Sequence, residues 1–145
     1  MVTGEAVSSE IVNTTWRERL ALPDLPEITP RDAGRNLAKI AGTAHLTFFA
    51  HYATDTAGHT HLMQASVAAL ERVDAFLDGL LSTLDKKTLL VLASDHGNIE
   101  DIREGHTRNP TLSVLAGPGA ADLKKGLNSL TDVAGIVLRS LVGGP

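Results

Sequence analysis

Five residues of this chain are candidate ligands for divalent metal ions, and they occur in three short polar stretches. Asp55 and His59 lie in the first stretch, Asp95 and His96 in the second, and His106 in the third. Imidazole and carboxylate ligands together suit zinc, manganese or iron. The chain has no cysteine, so His, Asp or Glu must hold any metal. The sequence therefore predicts a metal site.

Each of these patterns alone is common without a metal, because an Asp-His pair after a strand usually caps a turn. Their joint occurrence favours metal binding, and two ions held close together can activate a nucleophile and stabilise a phosphoryl group. The other histidines between 45 and 61 are interpreted differently. We expect His45 on the surface and His51 in the core. For His61, a helix N-terminus, a substrate contact and plain solvent exposure all stay open.

The elements that must position these residues alternate between strands and helices. Apolar runs predict buried strands at 46–52, 88–93 and 111–116. Apolar residues at helical spacing predict helices at 29–42, 61–84 and 131–141, the first with Thr29 as its N-cap and Pro30 at its first position. This alternation predicts an α/β fold with a mostly parallel sheet covered on both faces.

The predicted strands explain how the five residues could meet. Ligands of open α/β sheets bind beyond the carboxyl ends of the strands. The first predicted strand leads into a polar loop, 54–61, and the second leads directly into 95–110. The connection 95–110 has no periodicity and is longer than most, which is typical of functional loops. We therefore expect all five residues to converge at one edge of the sheet.

Length and composition limit the remaining choices. Residues 1–28, interrupted by Pro23 and Pro26, are interpreted as an extended arm or insertion, and residues 29–145 as the metal-binding α/β domain. The net charge is −4 without a basic cluster, which argues against nucleic acid and anionic membranes as partners. No apolar run reaches the ~18 residues of a membrane span. The start of the chain has no signal-peptide pattern, so we expect a cytoplasmic protein.

Three motifs resemble those of a known family: DTAGH at 55–59, SDHGNIE at 94–100 and GHTRNP at 105–110. They are similar to the carboxyl-terminal motifs of cofactor-independent phosphoglycerate mutase and phosphopentomutase, members of the alkaline phosphatase-like metalloenzyme superfamily. The resemblance covers residues 26–142. It implies the alkaline phosphatase-like fold, a mostly parallel sheet flanked by helices, of which this chain is the carboxyl-terminal portion.

The resemblance also implies two divalent metal ions, Mn or Zn. Asp55, His59 and His106 would bind one, while Asp95 and His96 would contribute to the other. In the family, an amino-terminal aspartate and a phosphorylated Ser or Thr nucleophile complete the second site. Residues 1–44 contain no such aspartate or nucleophile in the required setting, so we expect the second ion to be half-liganded or absent in this chain alone.

Further roles are expected for Arg108, which lies close to His106 in the sequence, and for Asn98 and Glu100, which match the family pattern. Arg108 is either a phosphate contact or a solvated loop arginine. Asn98 and Glu100 are expected to orient the metal ligands.

The predicted function is metal-dependent phosphoryl transfer or phosphate-ester hydrolysis on a phosphorylated small molecule. A missing amino-terminal segment or self-association would complete the site. The alternative is a metal-binding module without catalytic activity of its own.

Overall fold

The computed structural model describes residues 3–142; residues 1–2 and 143–145, the outer ends of the predicted ranges 1–28 and 29–145, lie outside the described residues. The described residues form two compact units, one of residues 3–84 with 98–105 and the other of residues 85–97 with 106–142. The helices and strands are, in order, α1 (Thr14–Arg19), α2 (Pro30–Ala41), α3 (Ala53–Gly58), α4 (Met63–Leu81), β1 (Leu90–Ala93), β2 (Ser113–Ala116), α5 (Ala120–Leu123), a 3-10 turn (Lys124–Gly126) and α6 (Asp132–Val142).

Helix α2 of the first unit begins and ends as predicted. Thr29 is its N-cap, and the Thr29 side chain accepts a hydrogen bond from the backbone N–H of Asp32 at 3.1 Å. The Thr29 hydroxyl donates in turn to the Asp32 carboxylate at 2.7 Å, and this bond lowers the pKa of Asp32. Gly42 is the C-cap. The capping signals in the sequence were therefore sufficient to locate this helix.

Helices α2 and α4 pack against each other through glycines. A Cβ atom added at Gly34 would lie inside contact distance of the Phe76 carbonyl and 2.6 Å from the Leu80 nitrogen. A Cβ atom at Gly79 would collide in the same way with the backbone of Arg31. The Arg31 guanidinium also pairs with the Asp78 carboxylate at this crossing. Only residues without a side chain allow the two backbones to approach so closely.

The core of the first unit includes residues from the stretch interpreted as an arm. Ile11, 1% exposed, clusters with Ala33 and Phe76, and the ring of Phe49 stacks on that of Phe76 with 5.2 Å between centroids. Asn13 is equally buried: its side chain donates to the Pro26 carbonyl and accepts from the Ile28 N–H. Part of residues 3–28 is thus packed into this unit, and the domain boundary at 28/29 stays a prediction.

The strand expected at 46–52 is wrong for the described part of the chain, where no ladder forms there. The segment is irregular, and Leu46, Phe48 and Tyr52 are exposed, Phe48 to 88%. Phe49, by contrast, packs against the core. A strand requires a hydrogen-bonded neighbour, and none of the described residues pairs with this segment.

The polar loop expected after that strand is also corrected, because residues 53–58 form helix α3. Backbone bonds from Thr56 N to Tyr52 O and from His59 N to Asp55 O, both 3.1 Å, close its turns. The long helix predicted at 61–84 is confirmed as α4, two residues shorter at its start and three at its end. Leu80 and Phe76, two of its apolar residues, are buried.

In the second unit, β1 and β2 form a two-stranded antiparallel sheet with Leu90 opposite Ala116 and Ala93 opposite Ser113. Two of the three predicted strands thus exist, but the mostly parallel sheet flanked by helices is not confirmed. The physical reason lies in the connection. Parallel neighbours need a crossover, usually a helix, and residues 94–112 form none in the described structure.

The predicted last helix is confirmed as α6, which begins at Asp132. The Asp132 carboxylate accepts hydrogen bonds from the backbone N–H groups of Asn128 and Ser129, each at 2.9 Å. These bonds lower the pKa of Asp132. An ionised carboxylate at the first turn also suits the positive end of the helix dipole.

Replacing Gly34 by Ala tests the close contact between α2 and α4. The new methyl group would force the helices apart, and we expect unfolding free energy to fall by about 1–3 kcal/mol or more, as overpacking does. Gly42→Ala is the matched control, because Gly42 has φ −65° and its nearest neighbouring atom would lie 3.4 Å from the new Cβ. Denaturant unfolding of the two variants measures the difference; equal stability would contradict the contact.

Candidate functional site

Asp55 and His59 lie on one face of α3 in the first unit. They are four residues apart, so the helix places one above the other. The His59 Nε2 atom is 3.5 Å from Asp55 Oδ1. Asp55 is half-buried, while His59, the C-cap of α3, is exposed. A helical turn therefore brings Asp55 and His59 together, where the sequence predicted a loop.

Asn98 holds Asp55 from the loop that follows β1 in the chain. Its side-chain Nδ2 donates to the Asp55 carbonyl at 3.1 Å and to Asp55 Oδ1 at 2.5 Å. Asn98 is 4% exposed, and its backbone N–H donates to Glu100 Oε2 at 2.6 Å. The contacts agree with the expected role of Asn98 and Glu100 in orienting a ligand, a role that stays a prediction.

A second bond ties this loop to the end of α3. His61 adopts a left-handed backbone conformation, with φ 56°, and its Nδ1 lies 2.5 Å from the Ile102 carbonyl. A carbonyl only accepts, so Nδ1 carries the proton. The sequence left His61 open; the structure makes it an exposed residue ahead of α4 that anchors residues 98–105. Its spacing from His59 gave no signal of this contact.

The second unit contains Asp95, His96 and His106. An isolated antiparallel bridge pairs Gly97 with Thr107, and the Thr107 N–H donates to the Gly97 carbonyl at 2.8 Å. This bridge brings the neighbouring histidines together: the rings of His96 and His106 stack with 3.8 Å between centroids.

The turn after β1 is fixed by short-range bonds. Ser94 donates its hydroxyl to the His96 carbonyl at 2.9 Å, and its N–H donates to the Leu112 carbonyl at 3.0 Å. Asp95 Oδ1 accepts the His96 N–H, while Asp95 Oδ2 lies 3.6 Å from His96 Nε2. The Asp-His pair is therefore held at the strand end.

One atom in this unit is well suited to coordinate a metal ion. His96 Nδ1 is buried and has no hydrogen-bond partner within residues 3–142. A buried imidazole nitrogen without a partner costs free energy, and coordination to a cation would satisfy it. The surrounding donor set of imidazoles and a carboxylate is the one that zinc and manganese prefer. The residues present therefore fit a divalent metal.

The structure divides the predicted ligands between the units: Asp55 and His59 in the first, Asp95, His96 and His106 in the second. Convergence of all five at one site stays a prediction.

The remaining predicted residues are found as follows. Arg108 and His45 are exposed. His51, which the sequence assigned to the core, is half-buried; its Nδ1 lies 2.6 Å from the Ser9 carbonyl, and its Nε2 is buried.

The donors in each unit, Asp55 with His59 and Asp95 with the stacked His96 and His106, are of the types that bind divalent metals, and their roles as ligands stay a prediction. The family follows from sequence comparison. Residues 30–142 match the Metalloenzyme superfamily, and the chain belongs to it.

Similar proteins from several bacteria share one name. The chain is 32% identical over 134 residues to a 2,3-bisphosphoglycerate-independent phosphoglycerate mutase of Agrobacterium fabrum, covering 83% of this chain and 26% of that protein. It is 31% identical to a protein of the same name from Cereibacter sphaeroides, with the same coverage. A Helicobacter pylori protein of that name is 36% identical over 93 residues, 59% of this chain and 18% of its own length.

The chain thus spans about a quarter of the length of the relatives from Agrobacterium and Cereibacter. No solved structure matches it significantly. Among the described residues, no helix combines the length and apolar character needed to cross a bilayer.

The loop 98–105 offers a pH test that is independent of metal. Arg103 donates from Nε and Nη2 to the Asp101 carboxylate at 2.7 and 2.6 Å, and these bonds lower the pKa of Asp101 to about 2. Because the folded-state pKa is depressed, the small stabilisation is complete above about pH 4, the ordinary value. It is lost as the pH falls toward 2. We expect an NMR titration midpoint near 2 that rises in Arg103→Ala without reaching the ordinary value, because the backbone N–H of residue 103 still donates to Asp101 Oδ1; an unchanged midpoint would contradict the pairing.

Proposed function

We propose that this chain is the metal-binding part of a metal-dependent phosphotransferase or phosphohydrolase that acts on a phosphorylated small molecule. The observation that carries the proposal is the match to the Metalloenzyme superfamily, because residues 30–142 contain all five predicted ligands. The names of the relatives, which are phosphoglycerate mutases, support phosphoryl transfer over other metal chemistry.

In this proposal Asp55, His59 and His106 bind one Mn or Zn ion, and Asp95 and His96 contribute to a second. The helical turn that pairs Asp55 with His59 supports the first assignment. The buried, unpartnered Nδ1 of His96 and the fixed turn around Asp95 support the second. When bound, the ions supply charge stabilisation to the transferring phosphoryl group.

In this proposal other residues of the chain bind the substrate and orient the metal ligands. The guanidinium of Arg108, exposed and two residues beyond His106, pairs with a substrate phosphate. Asn98 and Glu100 fix the loop that orients Asp55. In this proposal the Ser or Thr nucleophile and the further aspartate of the second site come from residues outside these 145.

We further infer that residues 46–52, irregular in the described structure, join a mostly parallel sheet flanked by helices only where residues outside these 145 supply a neighbouring strand. Phe49 packs inward on Phe76 while Phe48 is exposed, and this alternation is typical of a strand with two faces. The exposed Leu46 and Tyr52 would be covered in such a sheet.

The alternative is a metal-binding module without catalysis of its own, and one observation favours it. The hydroxyls near the start of the chain serve local structure: Ser8 is 4% exposed, and its Oγ accepts the Glu10 N–H at 3.1 Å. Thr14 and Thr15 lie in the first turn of α1. None of the three has the setting of a nucleophile.

Metal binding is tested first. Mn²⁺ and Zn²⁺ titrations of the purified chain should give saturable binding, and His59→Ala or His106→Ala should weaken it at least about tenfold, because each removes an inner ligand. His45→Ala, an exposed histidine of the same unit as His59, is the control and should bind as the wild type does. Absence of binding to both Mn²⁺ and Zn²⁺ would refute the proposal.

Catalysis separates the two functions. We expect the chain alone to leave a phosphate ester intact, and a chimera in which residues 30–142 replace the matching part of the Agrobacterium relative to show mutase activity that Asp55→Ala abolishes. A chimera that folds and binds metal but has no activity would favour the non-catalytic module. Chelator-sensitive turnover by the chain alone would exclude that module.

A further inference from the structure

We propose that Asn98 and Gly58 form an interlocked pair that fixes the direction of the Asp55 carboxylate before any metal binds. The inference rests on the proposed function in one respect, that Asp55 is a metal ligand. Asn98 and Gly58 would then be positioning residues, acting on the metal only through Asp55.

The first step is the choice of donor. The Asp55 carbonyl and Asp55 Oδ1 are both acceptors, and a single amide nitrogen, Asn98 Nδ2, donates to both. The amide group has two such hydrogens, whereas a carboxylate has none and a hydroxyl has one. Asn98 therefore ties the carboxylate of Asp55 to the backbone of the same residue, which restricts rotation of the Asp55 side chain.

The second step is the fixed orientation of the amide. With Nδ2 turned toward Asp55, the Asn98 Oδ1 atom is buried and has no hydrogen-bond partner in the described part of the chain. Turning the amide over would place that oxygen against the Asp55 acceptors. A buried carbonyl without a partner costs free energy. The arrangement persists because the two bonds to Asp55 offset that cost.

The third step is the space that Gly58 provides. A Cβ atom at Gly58 would overlap Asn98 Oδ1 and lie 2.7 Å from Asn98 Cγ. Asn98 is 4% exposed, so its side chain cannot avoid the new Cβ by turning into solvent. Gly58 lies in the last turn of α3, three residues after Asp55. The absence of a side chain at one helix position thus allows the amide to reach another position of the same helix.

The backbone of Asn98 is anchored independently of this contact. Its N–H donates to Glu100 Oε2 at 2.6 Å, and the Ile102 carbonyl binds His61 beyond α3. The loop therefore presents the amide from a fixed backbone. Such rigidity is what a ligand needs if it is to be oriented before the ion arrives.

Asn13 gives the matched structural control. It is 1% exposed, and its side chain makes two comparable bonds, to the Pro26 carbonyl and from the Ile28 N–H. Its partners are backbone groups of a loop, and none is a predicted ligand. Loss of Asn13 should therefore lower stability without altering a metal site.

The first experiment measures Mn²⁺ affinity of the folded chain by calorimetry, with the visible spectrum of the Co²⁺ form as a second readout. We expect Asn98→Ala to weaken Mn²⁺ binding about 10–100-fold and to change the Co²⁺ spectrum. Asn13→Ala should leave both unchanged. A wild-type chain that binds neither Mn²⁺ nor Zn²⁺ overturns the proposed function and this inference with it. Equal affinity of Asn98→Ala and the wild type overturns the inference alone.

The second experiment needs no metal. In a double-mutant cycle, Gly58→Ala should strongly destabilise the wild type but have a smaller effect in the Asn98→Ala background, because the colliding atoms are gone. Additive effects would overturn the interlock.

The third experiment uses the wild type, so that it stands even if a variant fails to fold. The side-chain NH₂ protons of Asn98 should exchange with solvent slowly, like those of Asn13 and unlike those of the exposed Asn128. Exchange as fast as that of Asn128 would overturn the proposal.

Discussion

The first unit depends on the close approach of α2 and α4. Gly34 and Gly79 remove the side chains that would separate the helices, and each backbone then fills the space beside the other's glycine. Phe76, one turn before Gly79, is thereby placed against Ile11 and Phe49. Helix α3, which places Asp55 and His59 one turn apart, leads into α4 of this pair after a few residues. The two predicted ligands of this unit therefore lie on a short helix next to the α2–α4 pair.

The predicted ligands are held by bonds that differ between the two units. In the first, a helical turn and a buried amide orient Asp55. In the second, an isolated bridge from Gly97 to Thr107, separate from the β1–β2 ladder, brings His96 and His106 together. Both arrangements use short, directional hydrogen bonds to backbone groups. Exposed ion pairs such as that of Lys125 with Asp122 contribute little by comparison.

The sequence predicted local features well and non-local ones poorly. Thr29, Pro30 and the apolar spacing along α4 located two helices, because capping and periodicity are properties of neighbouring residues. The motif residues were likewise recognisable as metal-type donors. The α3 turn was missed, since a short helix rich in Thr, Gly and Asp has weak intrinsic propensity. The contact of Asn98 with Gly58 joins positions forty residues apart, and no periodicity could reveal it.

The segment 46–52 shows where such prediction ends. Its alternation of a half-buried Phe49 with an exposed Phe48 is the two-faced pattern of a strand, and it persists although the described residues form no ladder there. The side-chain pattern depends on which residue of the segment meets Phe76, a residue of helix α4. The hydrogen-bonded ladder depends on a second backbone at strand spacing. Both are non-local, so the apolar run alone predicted a buried strand where the described structure exposes Leu46, Phe48 and Tyr52.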